Sequence, residues 1–321
     1  AALKDATRLY YGKARDRGDH EKVEAALESA AKDRHNGPVD VSDANELLGE
    51  MRLFKDEEEV ELMRRACDIS VSAHLSVIKG LRPGMHEYQI EALVDWELRR
   101  LGCAGPAYGT IAAGGANAAV LHYTRNDGLL AKGQLLLVDG GGEWGGYAAD
   151  LTRTLPVAAA FSPPQADLYD LVLKAQAAAL ELMVPGSSYG EIHQASIKTM
   201  TAGMIELGML EGPLEARLED KTYSRYFMHR TSHWLGMDVH DLGSYGEEGA
   251  WRRLEAGMVM TVEPGIYVAA DADVAPGMRG TGIRIEDDVL ITAAGHEVLS
   301  CGLPKERAAI EALRTEALAQ G

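Results

Sequence analysis

The chain has 321 residues, 46% hydrophobic and 25% charged, an ordinary globular composition with room for one large domain or two smaller ones. Its net charge is −17, from 49 acidic and 32 basic residues, and no Lys/Arg-rich run appears, which argues against a nucleic-acid partner. No apolar run approaches a membrane span and no signal-peptide pattern opens the chain, so no membrane partner is expected.

Residues 1 to about 50 read as helical and highly charged. "DHEKVEAALESAAKDRH" sets Val23, Ala26, Leu27 and Ala30 at helical spacing, and "RHNGPVD" breaks the pattern. This stretch is too short to bury a core alone and reads as part of something larger, or as a helix docked on the main domain. The texture changes at Met51. "FKDEEEVELMRRACDISVSAHLSVIKG" is a long amphipathic helix with an acidic first turn that suits the helix dipole, stopped by Gly80. Pro83-Gly84 is a turn, and "HEYQIEALVDWELRRLG" is a second helix ending at Gly102. Strand-like sequence follows in "GTIAAGG", "VLHYT" and "GQLLLVDGGGEWGGYAADLTRTLPV", with a turn at Glu143–Gly146. "SPPQADLYDLVLKAQAAALELMVPG" predicts a helix capped by Ser162 with prolines in its first turn. "SSYGEIHQASIKTMTAGMIELGML" predicts another. Strands return in "GMVMTVEPGIYV" and "GIRIEDDVLIT", and a helix from about Lys305 closes the chain.

Helix pair plus strands therefore occurs twice. This order predicts an α+β fold of two similar halves: a curved, mainly antiparallel sheet with helices on its outer face and function on the concave side. Cys67, Cys103 and Cys301 are few, odd in number and widely spaced, so a reducing cytoplasm is expected, with each thiol a small buried apolar residue.

Five residues stand out chemically. Asp139 ends the apolar "QLLLVDGGG", and Asp150 lies eleven residues on, across the predicted turn. Strands joined by a short hairpin run about 5 Å apart, so two carboxylates on them can share an ion. His233 sits in "HRTSHWLGMDVHD", Glu263 in "TVEPG" and Glu286 in "GIRIEDD". Each alone has an ordinary reading: a turn aspartate, partners for Arg153 or Arg284, a strand-end charge, a satisfied histidine. Together they are carboxylates in apolar strands, and a buried carboxylate must be paired, protonated or metal-bound. Arg153 and Arg284 cannot neutralise four of them, whereas two divalent cations could. The oxygen-rich donor set favours Mn²⁺ or a similar hard ion, with Zn²⁺ and Co²⁺ as alternatives.

With these residues in view, the chain from about Met51 to its end resembles aminopeptidase P of the pita-bread metallopeptidases. The resemblance rests on "LHYT", "VDGGG" with "ADLTRT", "FMHRTSHWLGMDVHD", "TVEPGIY" and "GIRIEDD", in that order. It implies the pita-bread fold, with residues 51–321 as catalytic domain and 1–50 as the helical end of an N-terminal domain. It implies that Asp139 binds one metal, that Asp150 and Glu286 bridge two, and that His233 and Glu263 complete the second. His122, His229 and His240 would hold substrate or stabilise the reaction intermediate, with Arg284 just behind the bridging carboxylates. Trp234 and Tyr245 would help form a pocket for a proline ring, with a place in the core as the other reading of Trp234. His193 and His296 match no functional position and read as surface residues. Arg230 stands where a small residue is common.

The implied reaction is hydrolysis of the bond between an N-terminal residue and a penultimate proline by a hydroxide bridging two metals, with Glu263 passing the proton to the proline nitrogen. Peptides with proline second are the implied partners, and a homo-oligomer, dimer or tetramer, is expected. A prolidase, which cuts only Xaa-Pro dipeptides, shares the five ligands. Methionine aminopeptidase shares them too but is usually shorter at its N-terminus, and creatinase-like enzymes lack the set. A non-catalytic pita-bread binding module would typically have lost ligands, and all five are present here.

Overall fold

Local capping starts the helices where the sequence predicts. Asp56 accepts a hydrogen bond from Glu59 N (2.9 Å), and the Glu59 carboxylate accepts one from Asp56 N (2.8 Å). This reciprocal box opens the helix Glu57–Gly80. Ser188 and Glu191 form the same arrangement before Tyr189–Glu206. Ser162 N donates to Gln165 Oε1 at 2.9 Å before Pro163–Leu180.

The computed structural model describes residues 7–12, 17–32, 40–247 and 250–320. The chain falls into two units, residues 1–53 with 242–244, and residues 54–241 with 245–321. The first holds helices Arg17–Lys32 and Ala44–Leu53 and a parallel pair of strands, Arg8–Tyr10 with Asp40–Ser42. The predicted break in "RHNGPVD" lies, apart from its last residue Asp40, outside the described residues.

In the second unit Glu57–Gly80 packs on Glu87–Arg100, and Pro163–Leu180 packs on Tyr189–Glu206. These two helix pairs are the repeated element of the sequence pattern. Their apolar faces share one core with the sheets, including Ile69, Val77, Ile90 and Val94 from the first pair and Leu168, Val172, Ile197 and Met200 from the second. No described helix is long and apolar enough to cross a membrane.

The first half sheet runs Ile111–Gly114, Leu135–Asp139, Thr152–Pro156, all antiparallel. Side chains alternate along a strand, so Leu136 and Val138 join the helical core while Leu137 packs with Ile111 and Ala113 on the other face. Register then aligns Ile111, Asp139 and Thr152 as direct cross-strand neighbours, which share a face. Gly145 and Gly146, both at positive φ (60° and 83°), make the tight turn between Gly142–Trp144 and Tyr147–Ala148. Gly141 lets that ribbon come close, because a Cβ there would overlap the Ala149 carbonyl oxygen.

In the second half, Val259–Val262 pairs with Asp287–Thr292, and Gly265–Val268 pairs with Thr281–Arg284. Both ladders break at the same level, between Val262 and Gly265 on one side and Arg284 and Asp287 on the other. Glu286 sits in this break and bridges to Thr152 of the first half, its N donating to Thr152 O at 3.1 Å. The two halves are thus stitched at the level of the candidate ligands.

Two expectations need correction. "VLHYT" is not a strand: a short 3₁₀ turn at Gly115–Ala119 precedes it, and Leu121–His122 form a turn. The cause is long-range, since the Tyr123 hydroxyl donates to buried Glu87 (2.7 Å) and Asn126 adopts a left-handed φ of 46° while its amide serves Thr110 O and its carbonyl serves Ala112 N. Cys67 and Cys103 are buried as expected, but Cys301 is exposed.

Arg314, on the closing helix Arg307–Ala319, is fully buried and donates to four carbonyls: Pro156 (3.1 Å), Ile78 (2.7 Å), Leu81 (2.9 Å) and Val157 (2.8 Å). It thereby ties the C-terminal end of Glu57–Gly80 to the end of the Thr152–Pro156 strand. Burial pulls its pKa down to about 10, so it remains charged at neutral pH. Replacing Arg314 with Met keeps most of the apolar stem but strands these acceptors. Chemical denaturation of Arg314→Met should show a loss of about 3 kcal/mol, and an unchanged midpoint would show that water takes over the four carbonyls.

Candidate metal centre and cavity

Strand parity builds the site. Arg284, Glu286 and Asp288 alternate with Ile283, Ile285 and Asp287 along "IRIEDD", and the two isoleucines belong to the helical core. Glu263 and Tyr267 alternate likewise with core residues Val262 and Ile266. The polar members of both series reach the face that carries Asp139 and Thr152. There Glu263, Arg284 and Glu286 line a cavity of about 830 Å³. Asp139, Asp150, His233, Glu263 and Glu286 all lie on its wall, as do His122, His229, His240, Tyr245 and Arg284.

Asp150, His233 and Glu286 are the tightest group, with one ligand atom from each within 4.8 Å of the others. His233 Nε2 lies 3.3 Å from Asp150 Oδ2 and 3.8 Å from Glu263 Oε1. Its Nδ1 faces Trp234 O at 3.0 Å, a contact that orients the ring with Nε2 toward the carboxylates. Asp139 joins from the other side through Tyr108, whose hydroxyl lies 2.5 Å from both Asp139 Oδ1 and Asp150 Oδ1. A phenol has one proton to give, so Tyr108 can donate to only one of the two aspartates at a time.

Compensating cations are few. Arg284 Nη2 donates to Asp139 Oδ2, its Nε donates to Thr152 Oγ1 (3.1 Å) and its Nη1 donates to Tyr267 Oη (2.9 Å). Glu286 Oε2 is 3.9 Å from Arg284 Nε and accepts from Thr152 Oγ1 at 2.6 Å. Arg153 does not contribute: it points to the opposite face, where it pairs with Asp287 at 2.6 Å and donates to the carbonyls of Leu303 and Pro304. Around His233 the wall therefore gathers the four carboxylates Asp139, Asp150, Glu263 and Glu286, with Arg284 as the buried arginine beside them.

The titration pattern follows. Burial, then repulsion from Asp150, Glu263 and Asp139, holds the Glu286 carboxyl well above its usual range. Burial also raises Asp139 against the pull of Arg284, and raises Glu263 to about 7. Burial acts upward on Asp150 as well, but the His233 hydrogen bond and charge outweigh it and leave Asp150 lowered. His233 is pushed to about 9 by Asp150 and Glu263 despite its burial. Carboxylates so crowded cannot all ionise without added positive charge. The oxygen-rich set with one imidazole fits divalent cations, and Asp139, Asp150, His233, Glu263 and Glu286 are the residues that would hold them.

The other expected residues divide. His229 is neutral, its pKa lowered to about 3 by burial and by Arg284. Its Nδ1 meets Arg230 O at 2.8 Å and its Nε2 meets Tyr267 Oη at 2.9 Å, so both ring nitrogens are engaged. The ring of His240 packs edge-on against His233 at 4.5 Å. Tyr245 borders the cavity, but its oxygen accepts from Trp234 N (2.9 Å). Trp234 itself is 1% exposed, stacks on Tyr245 at 5.2 Å and is absent from the cavity wall. The expectation that Trp234 touches substrate is thereby corrected: its indole is a core group that backs Tyr245. His193 is not a surface residue either. It is half-buried between Tyr189 and Phe227, and its Nδ1 contacts Thr231 Oγ1 at 2.9 Å. His296 is exposed, as expected.

Sequence reasoning missed Tyr108, Thr152 and Tyr267. Parity could have found two of them, since Thr152 stands two residues after Asp150 and Tyr267 four after Glu263. Tyr108 lies in an irregular stretch before Ile111 and carries no periodic signal.

The profile of metallopeptidase family M24 matches residues 61–293. The chain is 46% identical over 274 residues to a Xaa-Pro aminopeptidase of Haemophilus influenzae, covering 85% of this chain and 64% of that protein. It is 43% identical over 301 residues to a Xaa-Pro aminopeptidase of Escherichia coli, covering 93% and 68%. It thus spans about two thirds of the length of these relatives. Among solved structures, Pseudomonas aeruginosa aminopeptidase PepP matches with a TM-score of 0.92 and 43% identity, over 99% of this chain and 73% of that one. A zinc-substituted E. coli aminopeptidase P in complex with product also matches, with TM-score 0.92 and 40% identity, over 98% and 72%. Together with the paired helices, the antiparallel half sheets and the carboxylate-lined cavity, these likenesses establish the α+β pita-bread fold, and the chain belongs to metallopeptidase family M24.

Proposed function

We propose that this chain is the catalytic part of an aminopeptidase that removes the N-terminal residue from peptides with proline second. The observation that carries the reading is the convergence of Asp139, Asp150, His233, Glu263 and Glu286 on one cavity, in a chain 43–46% identical to Xaa-Pro aminopeptidases. Residues 51–321 are read as the catalytic domain and 1–50 as the end of another. Two Mn²⁺ ions, in a cytoplasmic homo-oligomer, remain the expectation for the working enzyme, with Zn²⁺ and Co²⁺ as the other candidate ions.

When bound, two divalent cations supply an activated water and a Lewis acid for the scissile carbonyl. The chain's own groups supply the rest. Glu263 stands 3.8 Å from His233 and 3.7 Å from His229, on the face open to substrate, and can carry a proton toward the departing nitrogen. His240 and His122 border the cavity and can donate to oxygens of substrate and intermediate. His229, neutral and held by Tyr267, gives that wall a fixed uncharged imidazole. Arg284 keeps Asp139 turned inward, and Tyr108 couples Asp139 to Asp150. A penultimate proline offers no N–H, so selectivity needs a surface for the ring. Ile111, Leu121, Val239 and the Tyr245 ring are among the apolar surfaces on the wall, and they take that role in place of Trp234.

With Mn²⁺ supplied, an Xaa-Pro-Xaa tripeptide should be cleaved at least about tenfold more efficiently than its Xaa-Ala-Xaa counterpart. Cleavage of Xaa-Pro dipeptides alone would assign a dipeptidase, and equal cleavage of the alanine peptide would remove the proline requirement. Glu263→Gln keeps the size of the side chain and loses its basicity, so turnover should fall at least about a hundredfold in protein shown to hold its metal. Tyr108→Phe tests the brace. Metal titration by calorimetry should show affinity weakened about 10–100-fold, whereas unchanged affinity would leave Tyr108 as a packing residue.

A further inference from the structure

Two arginines line the cavity, and the chemistry above uses only one. Arg284 is buried and committed to Asp139, Thr152 and Tyr267. Arg230 is exposed at the wall, and its guanidinium carbon lies 5.5 Å from the centroid of the Tyr189 ring and 5.8 Å from that of Trp251. Among the described residues no carboxylate pairs with it. A second group on the same wall also lacks a partner: Ser232 is 3% exposed, and its hydroxyl makes no hydrogen bond among the described residues.

We propose that Arg230 receives the free C-terminal carboxylate of a short peptide substrate, making it a specificity determinant for the reaction proposed above. Charge supports the assignment. A short peptide carries an ammonium at one end and a carboxylate at the other. The carboxylate cluster attracts the first and repels the second, while Arg230 does the reverse. A peptide aligned by these two fields enters amino end first, which is the orientation an aminopeptidase needs. Position supports it too. Arg230 follows His229, whose Nδ1 is 3.7 Å from Glu263, and successive Cα atoms are about 3.8 Å apart. The Arg230 backbone is thus near Glu263, and its side chain lines the same cavity, which places it to serve the first residues after the scissile bond. Preorganisation adds to this. The Tyr189 and Trp251 rings hold the guanidinium, the Tyr189 hydroxyl engages part of its N–H set, and the remaining donors face a carboxylate. The carboxylate can come from the proline of a dipeptide or from the third residue of a tripeptide, and the two sources share this recognition chemistry.

The test compares free acids with C-terminal amides. Xaa-Pro and Xaa-Pro-Xaa peptides of both forms are assayed with Mn²⁺-loaded wild type, Arg230→Gln and Arg230→Lys. Binding of the product dipeptide Pro-Xaa and of its amide is measured in parallel by calorimetry. Wild type should favour the acid about tenfold in kcat/KM for at least one peptide length, with the same direction in binding; Arg230→Lys should keep part of the preference and Arg230→Gln should lose it. A preference in the dipeptide pair assigns the proline carboxylate, and one in the tripeptide pair assigns that of the third residue. Equal acid-to-amide ratios in wild type and Arg230→Gln, in both rate and binding, would overturn the proposal. The inference rests on the aminopeptidase reading, yet the two can fail separately. If wild type cleaves no proline peptide, the function fails while the binding comparison still decides on Arg230. If acids and amides are cleaved equally well, Arg230 alone fails.

Discussion

Asp139, Asp150, Glu263 and Glu286 crowd one stretch of cavity wall beside a single buried arginine, and most of the second unit is arranged around that imbalance. Arg284 can satisfy Asp139 but stands 3.9 Å from Glu286. Thr152 and Tyr108 supply hydroxyls where cations are missing. Arg153, the other nearby arginine, is sequestered on the opposite face by Asp287, which also accepts from Lys305 and Ser300. Burial, with repulsion among the carboxylates added to it, raises the carboxyl pKa values of Glu286, Asp139 and Glu263. An apolar replacement would relieve this crowding, whereas a divalent ion turns it into binding energy.

The fold sustains the crowding because the two half sheets meet there. A carboxylate on a loop could turn to solvent and escape its neighbours. Asp139 cannot, since it ends a strand buried on both faces and paired along its whole length with Ile111–Gly114 and Thr152–Pro156. Glu286 cannot either, because its backbone bridges to Thr152 and its neighbours Ile285 and Asp287 are anchored on the helical side. His74, buried in the first long helix, extends the same restraint: its Nε2 meets Gly140 O at 2.8 Å, fixing the backbone directly after Asp139. Rigid strands, with helices packed behind them, thus hold like charges at separations they would not choose.

What could be read from the sequence was what has a local cause. Helix limits followed from the acidic first turn after Asp56, from Gly80 and from Ser162 with its prolines, and the turn at Gly145–Gly146 from its glycines. Among the five candidate ligands, the carboxylates were legible because they stand in or beside apolar strands, while His233 and the ligand roles came from the family resemblance; parity along the strands decides which face a side chain takes. What escaped reading has a distant cause. "VLHYT" has strand composition, but Tyr123 is drawn to Glu87, thirty-six residues earlier, and the segment turns instead. Trp234 sits beside a candidate ligand in sequence and behind the wall in space, since adjacent residues point in opposite directions. His193 looked like a solvent-facing helix residue until Tyr189 and Phe227 enclosed it. Tyr108 is the largest omission, because nothing around it in sequence shows that it will meet two aspartates.

The histidines show how partners assign roles to one residue type. His233 has a carbonyl behind it and carboxylates before it, so its Nε2 is aimed and its pKa rises to about 9. His229 has a carbonyl on Nδ1 and a phenol on Nε2, with Arg284 nearby, so it stays neutral with Nδ1 as donor and Nε2 as acceptor. That choice propagates: an accepting Nε2 takes the Tyr267 proton, which leaves the Tyr267 oxygen to accept from Arg284 Nη1, and the guanidinium can then direct Nη2 at Asp139. A protonated His229 would reverse the first link, competing with Arg284 for the Tyr267 oxygen and adding a second positive charge beside it. Neutrality of one imidazole on the wall is therefore part of what keeps the lone arginine of the cluster pointed at its aspartate.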